Sequence, residues 1–517
     1  MRHRIALLLF LCLPLSSFAQ QKPGITPDRV NAALTQLDAY IRSSMEKTKV
    51  PGASVAVVYN DQVVFLRGYG VRKIGEPAKI DPDTVFELAS VSKPLASTVL
   101  AALVGQGQLN WDDKVADLMP GFQLSSPITS REVTIRDFFS HRSGLATESG
   151  DYLEDLGYSR PEILHRMRYL PLPGTFRKTY AYSNFGLTAG AIAAATKIGK
   201  PWEVIAEKQL FQPLGMNSTS YRFSDYENHG NKAALHVMID GQPVNRFVRD
   251  ADAEAPAGGA SSNARDLAQW VRLQLDGGKW NGKQLIDAGA LAETHKPQVC
   301  RVPADPAKPD ACPGDQYYGL GWNVGKDEDG SAQFSHSGAF FLGASTAVYI
   351  IPEEHIGILA LTNAWPVGLP ESICLTFIDY AHGGKARRDY LPLIGQMMQQ
   401  MITEAQNAVP NYAALPPPKS PTAARPLSDY VGTYTNEYFG TLQVSIENNL
   451  LILRLPPRGA YYQLTHWDAD TFSYYYAREN SSRGGAKFFP DKHQVVIENL
   501  APEHNAVFTR TQPSAAP

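Results

Sequence analysis

The chain has 517 residues, with 48 basic and 51 acidic side chains and a formal net charge of −3. That balance excludes the basic excess on which nucleic-acid binding depends. The apolar and aromatic shares, 44% and 10%, exclude a disordered chain, and the length predicts two or three domains with a large core.

In chain order, Arg2, His3 and Arg4 precede an apolar run, Ile5 to Leu15, that is too short to span a bilayer. Ser17-Phe18-Ala19 puts small residues where a signal peptidase reads them, so residues 1–19 are expected to be an export signal cut after Ala19. Cys12 follows Leu11, where a lipoprotein site has a small residue, and no lipid anchor is expected. No later stretch reaches membrane-spanning length. A periplasmic or secreted protein is expected.

Thr26 to Lys47 has helical periodicity, which Val50-Pro51-Gly52 breaks. Ala53 to Tyr59 and Gln62 to Tyr69 are β-branched runs joined at Asn60-Asp61, a hairpin signal. A loop with Pro77 and Pro82 leads to a helix starting near Ser90 and ending at Gly105 and Gly107. Val133 to Ser140 predicts another helix, closed by His141-Arg142-Ser143-Gly144. His141 reads as a turn residue, with a catalytic base as the rival. Pro256 to Gly259 reads as a tight loop, and Ser262 and Asn263 as a cap before Leu267 to Leu275. Ala344 to Ile351 and Ile356 to Leu361 predict antiparallel strands. Pro370 to His382 and Leu391 to Ala408 predict helices.

Residues 409–426 change character. Pro416-Pro417-Pro418, Pro421 and Pro426 among small residues read as a linker between domains. Beyond it, short runs from Tyr430 to Thr509, separated by turn residues, predict an all-β sandwich or small barrel over residues 427–512. Cys300 and Cys312 bracket a polar, proline-rich loop. In an oxidising compartment they read as a local disulfide, with Cys374 left as a buried thiol. A metal pair is the rival, but no His/Cys partner spacing accompanies it, and no metal or other cofactor is expected.

Ser90 and Lys93 are three residues apart at a predicted helix start, which stacks them on one face. Serine is a weak nucleophile without a neighbouring base, and a buried lysine can have a lowered pKa. Ser44 and Lys47 have the same spacing but lie on an amphipathic helix among charged residues, which reads as a solvated face. Tyr182 can relay a proton if nearby cations lower its pKa. Asn184 can orient a substrate amide, His336 offers a third polar group, and the backbone at Gly338 permits close approach. The N–H groups of Ser90 and Ala339 would form the oxyanion hole.

Ser90-Val91-Ser92-Lys93, Tyr182-Ser183-Asn184 and His336-Ser337-Gly338, in this order, resemble the signature elements of the class C β-lactamase and penicillin-binding serine hydrolase family. Pro51-Gly52-Ala53, Leu145 after His141-Arg142-Ser143-Gly144, and Pro256-Ala257-Gly258-Gly259 are similar to its flanks. The resemblance covers residues 26–408, and the C-terminal region resembles a lipocalin-like barrel appended to some members. It implies an α+β fold, an antiparallel sheet flanked by helices, followed by the barrel. It also implies Ser90 as acylated nucleophile, Lys93 and Tyr182 as proton-transfer groups, and Asn184, His336, Ser337, Gly338 and Ala339 as substrate-binding residues. The implied partner is a small-molecule or peptide substrate, with no nucleic acid and no membrane span. Class C β-lactamases resemble Lys-Thr-Gly at the third element. His336 stands there instead, as in D-amino-acid peptidases and esterases of the family, which favours a peptide, amide or ester over a β-lactam. A non-catalytic protein that recognises penicillin or peptidoglycan is the alternative.

Overall fold

The computed structural model describes residues 24–302, 312–416, 418–476 and 482–511. The expected export signal, the interior of the cysteine-bracketed loop and Pro417 lie outside them. Helix α1 (Pro27–Thr48) starts at the Thr26 cap and buries Val30, Ala33, Leu37 and Ile41, the spacing of one helical face. Ser44 lies on that buried face while Lys47 is exposed, so the decoy serine points into the core and not to solvent as expected.

Strands β1 (Gly52–Tyr59) and β2 (Gln62–Gly70) form the predicted hairpin, with Asn60 and Asp61 both at positive φ. With β3 (Val299–Cys300), β4 (Tyr317–Tyr318), β5 (Asn323–Lys326), β6 (Ala332–Phe340), β7 (Ala344–Ile351) and β8 (Ile356–Thr362) they make an eight-stranded sheet in the order β2-β1-β8-β7-β6-β5-β4-β3. Every pairing in it is antiparallel. The sheet is covered on both faces. Ala53, Val55 and Val57 of β1 pack with α1 and α6 (Leu369–Gly383), whereas Ala56 and Val58 face the layer of α2 (Ser92–Gly105) and α5 (Ala264–Leu275). Between α2 and α5 in sequence lie α3 (Asp151–Leu156) and α4 (Asn184–Ile198), and α7 (Tyr390–Asn407) follows α6. Asn263 alone caps α5, accepting the Asp266 N–H at 2.7 Å. Pro256 lies in a short helix, Ala255–Gly258, in place of the expected loop. Cys300 and Cys312 form a disulfide with Cα atoms 5.3 Å apart, and Cys374 is a buried free thiol, as expected. No described helix is long and apolar enough to cross a membrane.

The C-terminal region is a nearly closed antiparallel barrel of nine strands: β9 (Gly432–Asn436), β10 (Gly440–Glu447), β11 (Leu450–Leu455), β12 (Ala460–Gln463), β13 (Thr465–Asp468), β14 (Thr471–Tyr476), β15 (Ser482–Phe489), β16 (Gln494–Ile497) and β17 (Val507–Arg510). β12 and β13 are separated by the single residue Leu464, whose N–H still donates to the Leu451 carbonyl of β11 at 2.9 Å. Aromatic rings fill its core, among them Tyr430, Phe472 and Phe488 in mutual contact.

The proline-rich segment before the barrel is docked along it. Thr422 N–H donates to Asp468 Oδ1 at 2.7 Å, and Tyr412 packs edge-on against Trp467. The barrel is also fastened to the first domain. Tyr158 OH donates to the Phe439 carbonyl at 2.6 Å, and Arg166 to the Tyr438 carbonyl at 2.8 Å. A protease that nicks the exposed residues around Lys419 should therefore leave the two pieces bound to each other. Size-exclusion chromatography of the nicked protein checks this, with one peak of unchanged volume expected and two separate peaks contradicting it.

Candidate active site

Ser90 sits in a single 3₁₀ turn, Ala89–Val91, that runs directly into α2. Ala89 is at φ +46, a strained position for a residue with a Cβ. The turn is held from all sides. Ser92 Oγ donates to the Ala89 carbonyl at 2.6 Å and accepts the Ala260 N–H at 2.9 Å. Thr346 Oγ1 on β7 donates to the Leu88 carbonyl at 2.7 Å. β6 passes so near that a Cβ on Gly338 would lie 2.2 Å from the Leu88 carbonyl oxygen and 2.8 Å from the Ser90 nitrogen. The close approach expected at Gly338 is thus to the Ser90 turn itself. Gly338→Ala should cost about 3 kcal/mol and displace Ser90. Thermal unfolding together with serine-probe labelling checks this, and an unchanged melting temperature contradicts it.

Lys93 is fully buried. Its Nζ lies 3.0 Å from Ser90 Oγ, 2.7 Å from Asn184 Oδ1 and 2.9 Å from the Ala257 carbonyl. Burial lowers its pKa to about 8, against the opposing pull of Glu254 and Asp151. As an ammonium it donates to all three oxygens. As a free amine it keeps two N–H donors for Asn184 and Ala257, which can only accept here, and turns its lone pair to Ser90. Tyr182 OH donates to Ser90 Oγ at 2.8 Å, and Lys93 lies over its ring, 4.5 Å from the centroid. The expectation that cations lower the Tyr182 pKa is corrected. Burial pushes it well up, aided by Tyr180, Glu254 and Asp151, so the phenol stays protonated.

The remaining predicted residues divide. Asn184 opens α4, with its amide engaged at both ends: Oδ1 accepts from Lys93, and Nδ2 donates to Asp151 Oδ2 at 3.1 Å. It holds Lys93 where a substrate amide was expected. His336 is buried on the Ser90 side of β6. Its Nδ1–H donates to the Ser337 carbonyl at 2.7 Å, and its Nε2 accepts from Tyr318 OH at 2.9 Å. Burial and the nearby Lys93 push its pKa down to about 3. A free imidazole gains a proton near pH 6.5, but this ring is too buried for its charged form to be solvated, so it stays neutral there. Ser337 alternates to the opposite face, where its hydroxyl lies beside Glu371 of α6, so only its backbone faces the Ser90 side. Ala339 is exposed at the end of the same strand.

Several residues escaped the sequence reading. Asp151 and Glu254 flank Lys93 as buried carboxyls, both pushed well up, chiefly by burial. Arg249 reaches Glu154 at 2.6 Å and Glu254 at 3.0 Å. His141, at φ +55 as its turn reading requires, also positions the tyrosine. Its Nδ1 accepts the Ser183 N–H at 3.2 Å, and its ring lies 4.5 Å from that of Tyr182. Burial keeps it neutral. Ala257 lies within the stretch Pro256–Gly259 that the sequence singles out and Glu254 two residues before it, and that position is the signal they offered.

The sequence profile of the Beta-lactamase family matches residues 37–379, which include every residue of this cluster. The chain belongs to the Beta-lactamase family. A second profile, a domain of unknown function (DUF3471), matches residues 416–499 of the barrel region. An unguisins hydrolase of Aspergillus violaceofuscus is 24% identical to this family member over 82% of the chain and 79% of its own length. Protein flp of Staphylococcus aureus is 23% identical over 64% of each chain. In solved structures, the fold is shared with an octameric penicillin-binding protein homologue from Pyrococcus abyssi, at a TM-score of 0.59 and 19% identity, over 92% of this chain and 100% of that one.

Proposed function

We propose that this Beta-lactamase-family chain is an exported serine hydrolase that forms an acyl-enzyme on Ser90. The observation that carries the reading is the convergence of Lys93 and Tyr182 on one serine oxygen, at 3.0 and 2.8 Å. Neutral Lys93 takes the Ser90 proton as Oγ bonds to the substrate carbonyl carbon. The oxyanion is received by the N–H groups of Ser90 and Ala339. As the bond to the leaving nitrogen or oxygen breaks, Tyr182 gives that atom its proton and is refilled from the Lys93 ammonium, so no buried tyrosinate persists. Water then attacks the acyl ester, loses a proton to the same pair and releases the acid, restoring the Ser90 hydroxyl.

A peptide, amide or ester comes first as substrate, with D-amino-acid peptides among the candidates by the family resemblance, and a β-lactam second. The neutral, fully engaged His336 supplies no cation for the carboxylate of a β-lactam at the third element. The hydrolase activity of the unguisins relative supports hydrolysis in general and fixes no substrate here. Turnover of D-aminoacyl amides, short esters and nitrocefin, with Ser90→Ala as the blank, tests this. Ester or amide turnover well above nitrocefin turnover is expected. Nitrocefin as the preferred substrate reverses the ranking, and penicillin bound without a covalent adduct returns the reading to a binding protein.

A further inference from the structure

α3 has no cap of its own. Gly150, at its N-cap position with φ +101, has no side chain to accept the first helical N–H groups. The acceptor arrives from the opposite end of the chain. Glu503, in the turn before β17, places a carboxylate oxygen on the Gly150 N–H, with the Tyr152 N–H and the Tyr438 hydroxyl beside it. A Cβ cannot be added at Gly150, since it would lie 2.7 Å from the Phe185 ring, so the loop is pressed onto the start of α4.

The loop held in this way carries contacts to the active site on its other side. Glu148 N–H donates to the Tyr182 carbonyl at 3.2 Å. Asp151 Oδ2 accepts from Asn184 Nδ2 at 3.1 Å, and Asn184 Oδ1 accepts from Lys93 at 2.7 Å. An unbroken series of contacts therefore runs from the barrel through residues 148–151 to both proton-transfer groups. Two other barrel contacts, Tyr158 to Phe439 and Arg166 to Tyr438, fall outside that loop.

We propose that Glu503 is a positioning residue through which the barrel, by way of the Glu148–Asp151 loop, holds Asn184 and Tyr182 in register with Lys93 and Ser90. This rests on the acyl-serine reading above. Burial raises the Glu503 pKa to about 8, so it acts at neutral pH as a hydrogen-bonding carboxyl more than as a charge. A glutamine should replace it and a leucine should not.

The test compares full-length wild type, Glu503→Leu, Glu503→Gln and Tyr158→Phe by melting temperature and by kcat and KM on a short ester the wild type hydrolyses. Leucine keeps the volume and leaves the Gly150 and Tyr152 N–H groups without their acceptor, a loss that shifts the melting of a chain this long by only a few degrees. Glu503→Leu should melt within about 5 °C of wild type and lose about 10- to 100-fold in kcat with KM little changed. Glu503→Gln should recover kcat to within about threefold. Tyr158→Phe, which breaks a barrel contact outside the loop, should keep kcat. Wild-type kcat in Glu503→Leu overturns the proposal, as does an equal loss in Tyr158→Phe, which would make the barrel a general stabiliser. If leucine does not fold, Glu503→Met gives the same two readouts. A wild type that never acylates Ser90 fails the hydrolase reading first, before any variant is compared.

Discussion

Ser90→Ala should fold like the wild type and lose turnover by at least about 10⁴-fold, the order seen when an acylated nucleophile is removed. The side chain is small and partly exposed, and the turn around it is held by Ser92, Thr346 and Ala260, none of which uses the Ser90 hydroxyl. The loss should therefore appear in kcat, with no fall in melting temperature. Steady-state kinetics on the best substrate of the ester and amide panel, beside calorimetry, checks both halves. A residual rate within tenfold of wild type would require another nucleophile, and Ser44 cannot supply one, because it is buried on α1.

The second large effect belongs to Lys93. Lys93→Met fills the same buried space without a base and should lower acylation by about 10²- to 10⁴-fold, the usual contribution of a general base. The pH dependence carries more information. Burial has lowered the Lys93 pKa, so below about pH 8 the group is an ammonium and cannot take the Ser90 proton. Above that pH it is an amine with its lone pair toward Ser90. The rate of acylation should rise with pH to a midpoint near 8 and then level, and Lys93→Met should lose that limb. A limb falling through the same range would mean that the protonated form is the active one. No step near pH 6.5 should come from His336 or His141, since burial keeps both neutral. A fluorophosphonate of pH-independent reactivity, followed by stopped-time mass measurement, separates this limb from substrate titration.

The residues legible in the sequence were those whose function fixes a local spacing. Ser90 and Lys93 stand three apart because one helical turn must stack them, and Tyr182 and His336 separated that pair from Ser44 and Lys47. The hairpin at Asn60-Asp61, the two-domain order and the Cys300–Cys312 disulfide were legible for the same local reasons. Asp151, Glu254 and Glu503 were not. Each is one carboxylate among 51 acidic residues, and nothing beside it in the chain shows that it becomes buried. The neutrality of His336 was illegible for the same reason. Its charge is set by Tyr318, Lys93 and the loss of water, which come together only through the sheet and α2. The proline-rich segment has a linker's composition, and composition says nothing of the surface it lies on. Glu503 and Gly150, 353 positions apart, meet only because that surface brings the barrel back to the first domain.

The proposed mechanism requires that one oxygen, Ser90 Oγ, becomes acylated. Wild-type protein labelled with a fluorophosphonate, digested and sequenced by tandem mass spectrometry should show a single modified residue, Ser90, with labelling abolished in Ser90→Ala and slowed in Lys93→Met. Label on Ser44, on Ser92 or on no residue at all would contradict it.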